Sequence, residues 1–368
     1  MSETGYVLDQ TLAAAGARLT DEEGITLAAD YGDPAGEYAA ALSGAGLYAA
    51  QERGLIEVTG PDRAGWLSNL VTNAVQHLEA GQGTYTFAVN VQGRILFDAN
   101  VLALPDAIWL DVDRRLVDKA IGHLERHLIM ERVTLRESSD AFTRVALLGP
   151  RVFDIAEALG ATHARAMAAL GATVVPLRGQ HRLLVRHDEL AGVPGLELYV
   201  EPEAAVACWR RLLDIGAPVG LRPVGRTAVQ SLRIEAGIPV CGEDLDDTVL
   251  PAETGQIKRA VSYSKGCYLG QEVVERMRSH GNVAARRLVG LRFASDPGGL
   301  PRNTPLFCDG KECGRLTSRC YSFGLAKYIG LGFVRSAQAA PGTIVTVGTQ
   351  EAVTAEIAEP SMRPATTL

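Results

Sequence analysis

The segment KGCYLGQE, Lys265 to Glu272, places a cysteine between a lysine and two glycines, just before a run that predicts a helix. Cys267 would lie near unpaired N–H groups at the helix start, and Lys265 adds a positive charge two residues away. Both features favour the thiolate form. The glycines allow a sharp bend that leaves the sulfur uncovered. Cys267 is therefore a candidate reactive thiol, and a buried cysteine that packs as a small apolar side chain is the alternative.

Two acids interrupt apolar strands. Asp98 lies in RILFDANV and Glu197 lies in LELYV. An acid inside a strand either faces water or is retained for a function. Taken singly, each is predicted to face solvent.

Other polar residues do not form a metal or phosphate motif. Cys308, Cys313 and Cys320 are separated by four and six residues, which is not the spacing of a zinc pair, and they are predicted to pack in strands. His123 and His127 share one helix face, which we interpret as a solvated face. The chain contains no P-loop, so nucleotide hydrolysis is not expected. We predict no metal site.

Composition limits the class of protein. A chain of 368 residues with 47% apolar and 21% charged residues predicts a globular protein of two or three domains. A net charge of −7 argues against binding a nucleic-acid backbone as the main function.

The sequence also limits the compartment. No apolar run approaches the roughly 18 residues of a membrane span, and the first residues lack the features of a signal peptide. Six cysteines are too sparse for a disulfide scaffold and are predicted to be thiols. We therefore expect a cytosolic protein that does not contact membranes.

The elements that must position these residues can be read from periodicity. A strand at Leu55–Val58 is followed by a turn, with Asp62 as candidate cap, and by an amphipathic helix. Residues 90–93, Asn-Val-Gln-Gly, predict a hairpin turn between two strands. A further strand, AIWLDVD, and the helix RRLVDKAIGHLERHLI complete a small α+β unit.

The remaining chain repeats this style and then changes. Residues 141–230 alternate strands and helices in a second α+β pattern, without repeating the sequence. After about residue 286, short alternating runs separated by Gly, Pro and Asn predict a small antiparallel barrel. Residues 1–30 predict a short helix or a partly ordered arm.

Several of these segments together resemble a known family. KGCYLGQE is similar to the signature of YgfZ-type folate-binding proteins. The segments VTGPDRAGWLSNLVTN, GQGTYTFAVNVQGRILFD and SLRIEAGIPVCGEDLDDTVLPAE and the predicted terminal barrel resemble the same superfamily, in the same order along the chain. The YgfZ-type proteins are relatives of the glycine-cleavage T-protein (aminomethyltransferase), and the resemblance covers about residues 30–360.

The resemblance implies an α+β, aminomethyltransferase-like fold around a central channel for tetrahydrofolate. Residues 30–54 and 140–230 would form one unit, residues 55–139 and 231–280 an intertwined second unit, and residues 281–368 the C-terminal β-barrel.

The resemblance also implies roles for single residues. Glu197 would hold the pterin, because a carboxylate can accept two parallel N–H bonds from its ring. Asp98 would lie where the one-carbon unit is handled, and Cys267 at the mouth of the channel. The cofactor-binding set, together with Glu197, comprises Arg233, Lys265 and Tyr268.

Departures from the T-protein separate two hypotheses. Phe97 replaces the first acid of its Asp-Asp pair, Gly93-Arg94 replaces its glycine pair, and the T-protein lacks the KGC cysteine. These differences favour a tetrahydrofolate-binding protein that acts in iron–sulfur cluster assembly or repair, with iron–sulfur proteins as partners. The alternatives are a tetrahydrofolate-dependent aminomethyl- or methyltransferase and a folate-binding protein with a structural or regulatory role.

Overall fold

The structure is a computed structural model that describes residues 3–279, 281, 284–349 and 352–363. Its helices are α1 (Glu3–Ala14), α2 (Pro34–Ser43), α3 (Arg63–Ser68), α4 (Val117–Glu125), α5 (Val152–Ala158), α6 (Pro202–Gly216), α7 (Arg226–Ala236), α8 (Ile257–Ala260) and α9 (Gln271–Ser279). Within the part of the chain described, every helix is too short or too polar to span a bilayer.

A two-stranded ribbon and a six-stranded sheet contain strands from distant parts of the chain. The ribbon pairs β1 (Arg18–Glu22) with β2 (Ile25–Asp30). The sheet has the order β10-β11-β12-β9-β3-β13, and only its β13–β3 pair is parallel. These six strands are β3 (Gly46–Ala49), β9 (Thr143–Leu148), β10 (Ala172–Leu177), β11 (Gln180–Arg186), β12 (Gly195–Val200) and β13 (Arg222–Pro223).

A five-stranded antiparallel sheet is built from one continuous stretch. Its order is β5-β6-β7-β4-β8. The strands are β4 (Arg53–Thr59), β5 (Gly83–Val89), β6 (Ile95–Ala103), β7 (Ala107–Asp113) and β8 (Thr134–Glu137). The predicted hairpin turn joins β5 to β6, and Gly93 in it has φ +73° and lies directly against Val273 of α9, so a side chain would not fit there.

The C-terminal strands form a closed antiparallel barrel, as predicted, with the order β14-β17-β16-β15-β18-β19. They are β14 (Arg286–Phe293), β15 (Pro305–Cys308), β16 (Lys311–Ser322), β17 (Lys327–Arg335), β18 (Ile344–Val347) and β19 (Val353–Ala358). Closure removes the exposed strand edges that an open sheet would leave.

A buried carboxylate connects α7 to the barrel and to the chain end. Glu235 is 1% exposed, and its Oε1 accepts hydrogen bonds from Ser231 (3.0 Å) and Ser322 (2.6 Å). The Tyr38 hydroxyl donates to Oε2 at 2.6 Å, and the Glu235 carbonyl accepts from the Met362 amide. Helix α2, helix α7, the barrel and the last described residues therefore meet at one side chain.

Two local predictions were wrong, and a third was incomplete. Asp62 does not cap α3, because its carboxylate accepts instead from the backbone and guanidinium of Arg132. The N-terminal region contains the predicted short helix, α1, and in addition two strands that were not predicted, β1 and β2. His123 is not on a solvated face: it packs edge-on against Phe97, and burial lowers its pKa to about 4, with a smaller contribution from His127.

Candidate functional site

The inner faces of the two sheets meet in a polar layer that contains both predicted acids. In β12, Leu196, Leu198 and Val200 point to the apolar core of the six-stranded sheet, so the alternation of a strand turns Glu197 toward the other sheet. Asp98 in β6 is turned inward by the same alternation. Both acids are buried, which corrects the prediction that each faces solvent.

Arg144 of β9 holds Glu197 in a two-bond ion pair. Its Nε donates to Oε1 and its Nη2 to Oε2, both at 3.1 Å. His187 donates from Nδ1 to Oε2 at 3.2 Å, and its Nε2 lies 3.3 Å from Nδ2 of Asn100, which can donate to it. One neutral tautomer of His187 therefore satisfies both contacts.

Asp111 of β7 continues the network into the second sheet. Its Oδ1 forms an ion pair with Arg144 Nη2 at 2.9 Å and accepts a hydrogen bond from Arg53 Nε at 2.9 Å, and its Oδ2 accepts from Asn100 at 2.8 Å. Arg144 thus bridges two carboxylates, one on each sheet. This bridge fixes the two sheets to each other through charge-assisted hydrogen bonds.

The electrostatics of the layer favour the charged carboxylates. Burial alone would raise the pKa of Glu197, but the Arg144 guanidinium and the His187 hydrogen bond outweigh it and hold that pKa below its usual value. The pKa of Asp111 is likewise depressed against burial by Arg144 and Arg53. Both groups are therefore ionised at neutral pH.

The same layer brings together three potential metal ligands. Atoms of Asp111, His187 and Glu197 lie within 4.8 Å of one another. Their oxygens already accept hydrogen bonds from two guanidiniums, Arg53 and Arg144, which would repel a cation. Asp111, His187 and Glu197 therefore have the surroundings of an internal salt-bridge network and not those of a metal site.

Asp98 has a different environment from Glu197. The Tyr85 hydroxyl donates to its Oδ2 at 2.8 Å, whereas its Oδ1 is buried without a hydrogen-bond partner among the described residues. Burial raises the pKa of Asp98, and Arg53 and Tyr85 offset this only in part. A buried carboxyl oxygen that lacks a donor is costly unless a ligand supplies one. Asp98 is thus equipped to meet an N–H or O–H group of a ligand.

Arg233 lies at the junction of α7 and the barrel, with its donors engaged inside the protein. It donates to Gln230 at 2.8 Å, to Asp244 at 2.8 Å, to Glu243 at 2.9 Å and to Ser318 at 3.0 Å. A role for Arg233 in folate binding is a prediction from the family resemblance. In this structure Arg233 holds the 238–244 segment against the barrel.

Glu243 provides a prediction about acid stability. Burial would raise its pKa, but Arg233, Arg226 and Arg115 lower it from 4.5 to about 2. A depressed folded-state pKa contributes stability above about pH 4.5 that is lost as pH falls toward 2. We expect Glu243→Gln to lower the free energy of unfolding at pH 7 and to have a much smaller effect near pH 2.5, measured by urea denaturation.

The matched control for this prediction is Glu203→Gln, an exposed acid in the first turn of α6. It should change stability little at either pH. An effect of Glu243→Gln that is equal at both pH values would contradict the assignment of the depressed pKa.

The KGC segment is fastened to the end of α3. The Lys265 ammonium donates to the carbonyls of Ser68 and Val71, the second at 2.6 Å, and burial lowers its pKa to about 8. Tyr268 lies under this ammonium, 4.8 Å from Nζ to the ring centroid. Cys267 projects from the segment and is exposed, so the buried alternative for this cysteine does not apply.

The predicted site residues therefore fall into three places. Asp98 and Glu197 share the inter-sheet layer, Arg233 belongs to the barrel junction, and Lys265, Cys267 and Tyr268 form one segment. A cavity of about 220 Å³ borders Arg144, and a cleft of about 560 Å³ borders Arg233. Neither is lined by Asp98 or Cys267.

Comparison with known proteins identifies the family. Residues 8–265 match the GCVT N-terminal domain, and residues 286–362 match the glycine cleavage T-protein C-terminal barrel domain. The chain belongs to the glycine cleavage T-protein family. An aminomethyltransferase of Lysinibacillus sphaericus is 32% identical over 84% of each chain, and one of Halothermothrix orenii is 30% identical over 93% of this chain and 95% of its own length.

A solved T-protein has the same fold. The glycine cleavage system aminomethyltransferase T from Bartonella henselae superimposes with a TM-score of 0.83 over 97% of this chain and 98% of its own, at 20% identity. The aminomethyltransferase-like α+β fold with a terminal barrel is thereby confirmed. The narrower YgfZ-type assignment is not confirmed, because the family and sequence matches above are to T-protein domains and to proteins named aminomethyltransferase.

Sequence reasoning missed most of the inter-sheet layer of this T-protein family member. Arg144, Asp111 and His187 were not singled out, although each occupies an inward position beside Glu197. The signal that could have found these residues is a charged side chain inside an apolar strand. Arg144 interrupts TRVALLG, and Asp111 interrupts AIWLDVD. A basic and an acidic interruption in facing strands predict a buried pair.

Proposed function

We propose that the chain is a tetrahydrofolate-dependent one-carbon transferase of the aminomethyltransferase type. The observation that carries this proposal is the similarity to proteins named aminomethyltransferase at 30–32% identity over 84% or more of both chains. Asp98 supports it, since a buried carboxyl with one unpartnered oxygen is a suitable contact for a substrate amine.

Tetrahydrofolate would take the carbon as a methylene bridge between N5 and N10, while the donor's C–S bond breaks to release the lipoyl thiol and its C–N bond breaks to release ammonia. Asp98 would hold the donor amine through Oδ1 while Tyr85 fixes Oδ2, so that the aminomethyl carbon is oriented toward N5 of the acceptor. Burial raises the pKa of Asp98, which makes this carboxyl a better proton acceptor for the amine than an exposed aspartate.

Glu197 would contribute to pterin binding only after a rearrangement. Its Oε1 and Oε2 both accept from Arg144, and Oε2 also accepts from His187. A pterin that presented two parallel N–H groups would compete with these donors. We therefore assign Glu197 a shared role, in which folate binding and the Arg144 ion pair depend on the same two oxygens.

The direct test is a turnover assay. The purified protein is incubated with tetrahydrofolate and either an aminomethyl-loaded lipoyl carrier or free one-carbon donors, and 5,10-methylene- and 5-methyl-tetrahydrofolate are quantified. We expect 5,10-methylene-tetrahydrofolate from the loaded carrier. Tight tetrahydrofolate binding without product from any donor would reject the transferase and leave a folate-binding protein without turnover.

A second candidate function is iron–sulfur cluster assembly or repair. It is supported by the resemblance of KGCYLGQE and by the exposure of Cys267. One thiolate cannot hold a four-cysteine cluster alone, so contact with a cluster protein would be transient. If this role applies, Cys267→Ala should fail to restore iron–sulfur enzyme activity in a cell that lacks the native gene. Full restoration would remove Cys267 from the mechanism.

A further inference from the structure

A cationic side chain covers the tyrosine that binds Asp98. The Arg259 guanidinium carbon lies 3.7 Å from the centroid of the Tyr85 ring, and the Tyr85 hydroxyl donates to Asp98 at 2.8 Å. Arg259 comes from the short helix α8, more than 150 residues after Tyr85 in the chain. The stack therefore joins the second half of the T-protein N-terminal domain to the acid of the first half.

Hydrogen bonds hold both members of the Arg259–Tyr85 stack in place. Nδ2 of Asn73 donates to the carbonyls of Tyr85 and Arg259, both at 2.8 Å, and so ties the two backbones together. The Arg259 Nε donates to Gln256 at 2.6 Å, which fixes the plane of the guanidinium. A planar cation held face to face with a phenol ring is a favourable cation–π arrangement.

We propose that Arg259 is a positioning residue, whose guanidinium fixes the Tyr85 phenol so that it binds Oδ2 of Asp98 and leaves Oδ1 directed to the substrate. The expected effect of Arg259 on catalysis rests on the proposed transferase function. Its effect on the orientation and charge of Asp98 does not, because both can be measured without turnover.

The charges around Asp98 show what Arg259 adds. Arg53 faces it from β4 and Asp113 from β7, while Tyr85 binds it from β5. Cys241, from the segment after α7, is buried against the same carboxyl. Arg259 contributes a second cation, and it stabilises the carboxylate from the Tyr85 side, opposing the effects of burial and of Asp113.

The test uses Arg259→Gln and Arg259→Lys. The carboxyl signal of Asp98 is followed by pH titration in protein labelled with carboxyl-¹³C aspartate, and it is assigned by its loss in Asp98→Asn. We expect an upward shift of the Asp98 pKa in Arg259→Gln and a smaller upward shift in Arg259→Lys, which retains the charge but not the planar stack on Tyr85. In the turnover assay, Arg259→Gln should lower kcat roughly tenfold and shift the acidic limb of the pH profile upward.

The matched control is Arg278→Gln, because Arg278 makes the same kind of stack, 4.3 Å from the Tyr263 ring centroid, without contacting Asp98 or Tyr85. It should leave the Asp98 titration unchanged. Thermal melting of each variant checks that it is folded. An unshifted Asp98 titration in folded Arg259→Gln overturns the inference even if wild type is active. A titration shifted in both Arg259 variants, in a protein without turnover, sustains the positioning role and rejects only the proposed function, whereas a wild-type titration in Arg259→Lys overturns the positioning role.

Discussion

Arg144→Met should lower the free energy of unfolding by about 3–5 kcal/mol, which is the cost typical of removing one partner from a buried ion pair. Arg144 is 3% exposed, donates hydrogen bonds to Glu197 and forms an ion pair with Asp111. Methionine fills a similar volume but leaves two carboxylates buried without their shared guanidinium. Urea denaturation of wild type and variant at pH 7 measures the difference.

The control for Arg144→Met is the same substitution at Arg136, whose ion pair with Glu57 (2.8 Å) lies on the surface strand β8. Exposed ion pairs contribute about 0–1 kcal/mol, so Arg136→Met should have a small effect. Equal losses from the two substitutions would mean that the inter-sheet layer does not hold the sheets together. A rise in stability for Arg144→Met would show that desolvation exceeds the attraction in this network.

Asp98→Asn should lower one-carbon transfer by about 10²–10⁴-fold with little change in stability, if the proposed function holds. Asparagine keeps the shape of the side chain, and its amide oxygen can still accept from the Tyr85 hydroxyl. It cannot accept a proton or carry the charge that a substrate amine would meet. The measurement is kcat and KM for tetrahydrofolate-dependent product formation.

Asp106→Asn is the matched control for Asp98→Asn, because Asp106 lies in the exposed turn between β6 and β7 of the same sheet. Its activity should equal that of wild type. Near-normal turnover in Asp98→Asn would remove Asp98 from the chemistry and direct attention to the Arg144 cavity. Loss of folding, detected by thermal melting, would instead identify Asp98 as a structural acid.

The strand alternation in the sequence predicted the fold well, but it did not predict which charges meet. Glu197 and Arg144 are 53 residues apart, and each is acceptable locally as a solvent-facing residue. Only the packing of one sheet on the other buries both. The partner of a buried charge is a long-range property that short sequence windows do not contain.

Part of the environment of Asp98 could be predicted from the sequence. The hairpin turn at 90–93 sets the register that places Phe87 opposite Asp98, so Tyr85 is its diagonal neighbour. The stack of Arg259 on Tyr85 could not be predicted from the sequence, because α8 follows a long irregular segment whose path no periodicity specifies. The resemblance predicted the roles of Glu197 and Arg233 in folate binding, and it gave no indication that their donors and acceptors are engaged within the protein.

The strand order has a consequence for how the chain folds as it is synthesised. Every strand of the five-stranded sheet lies between residues 53 and 137, so this sheet can form while the rest is still being translated. Strand β3, which begins at Gly46, gains both neighbouring strands only after Leu148 and Arg222 have been synthesised. At roughly 5–20 residues per second, β3 lacks its second neighbour on the nascent chain for roughly 9–35 seconds, the interval in which a chaperone would be of most use.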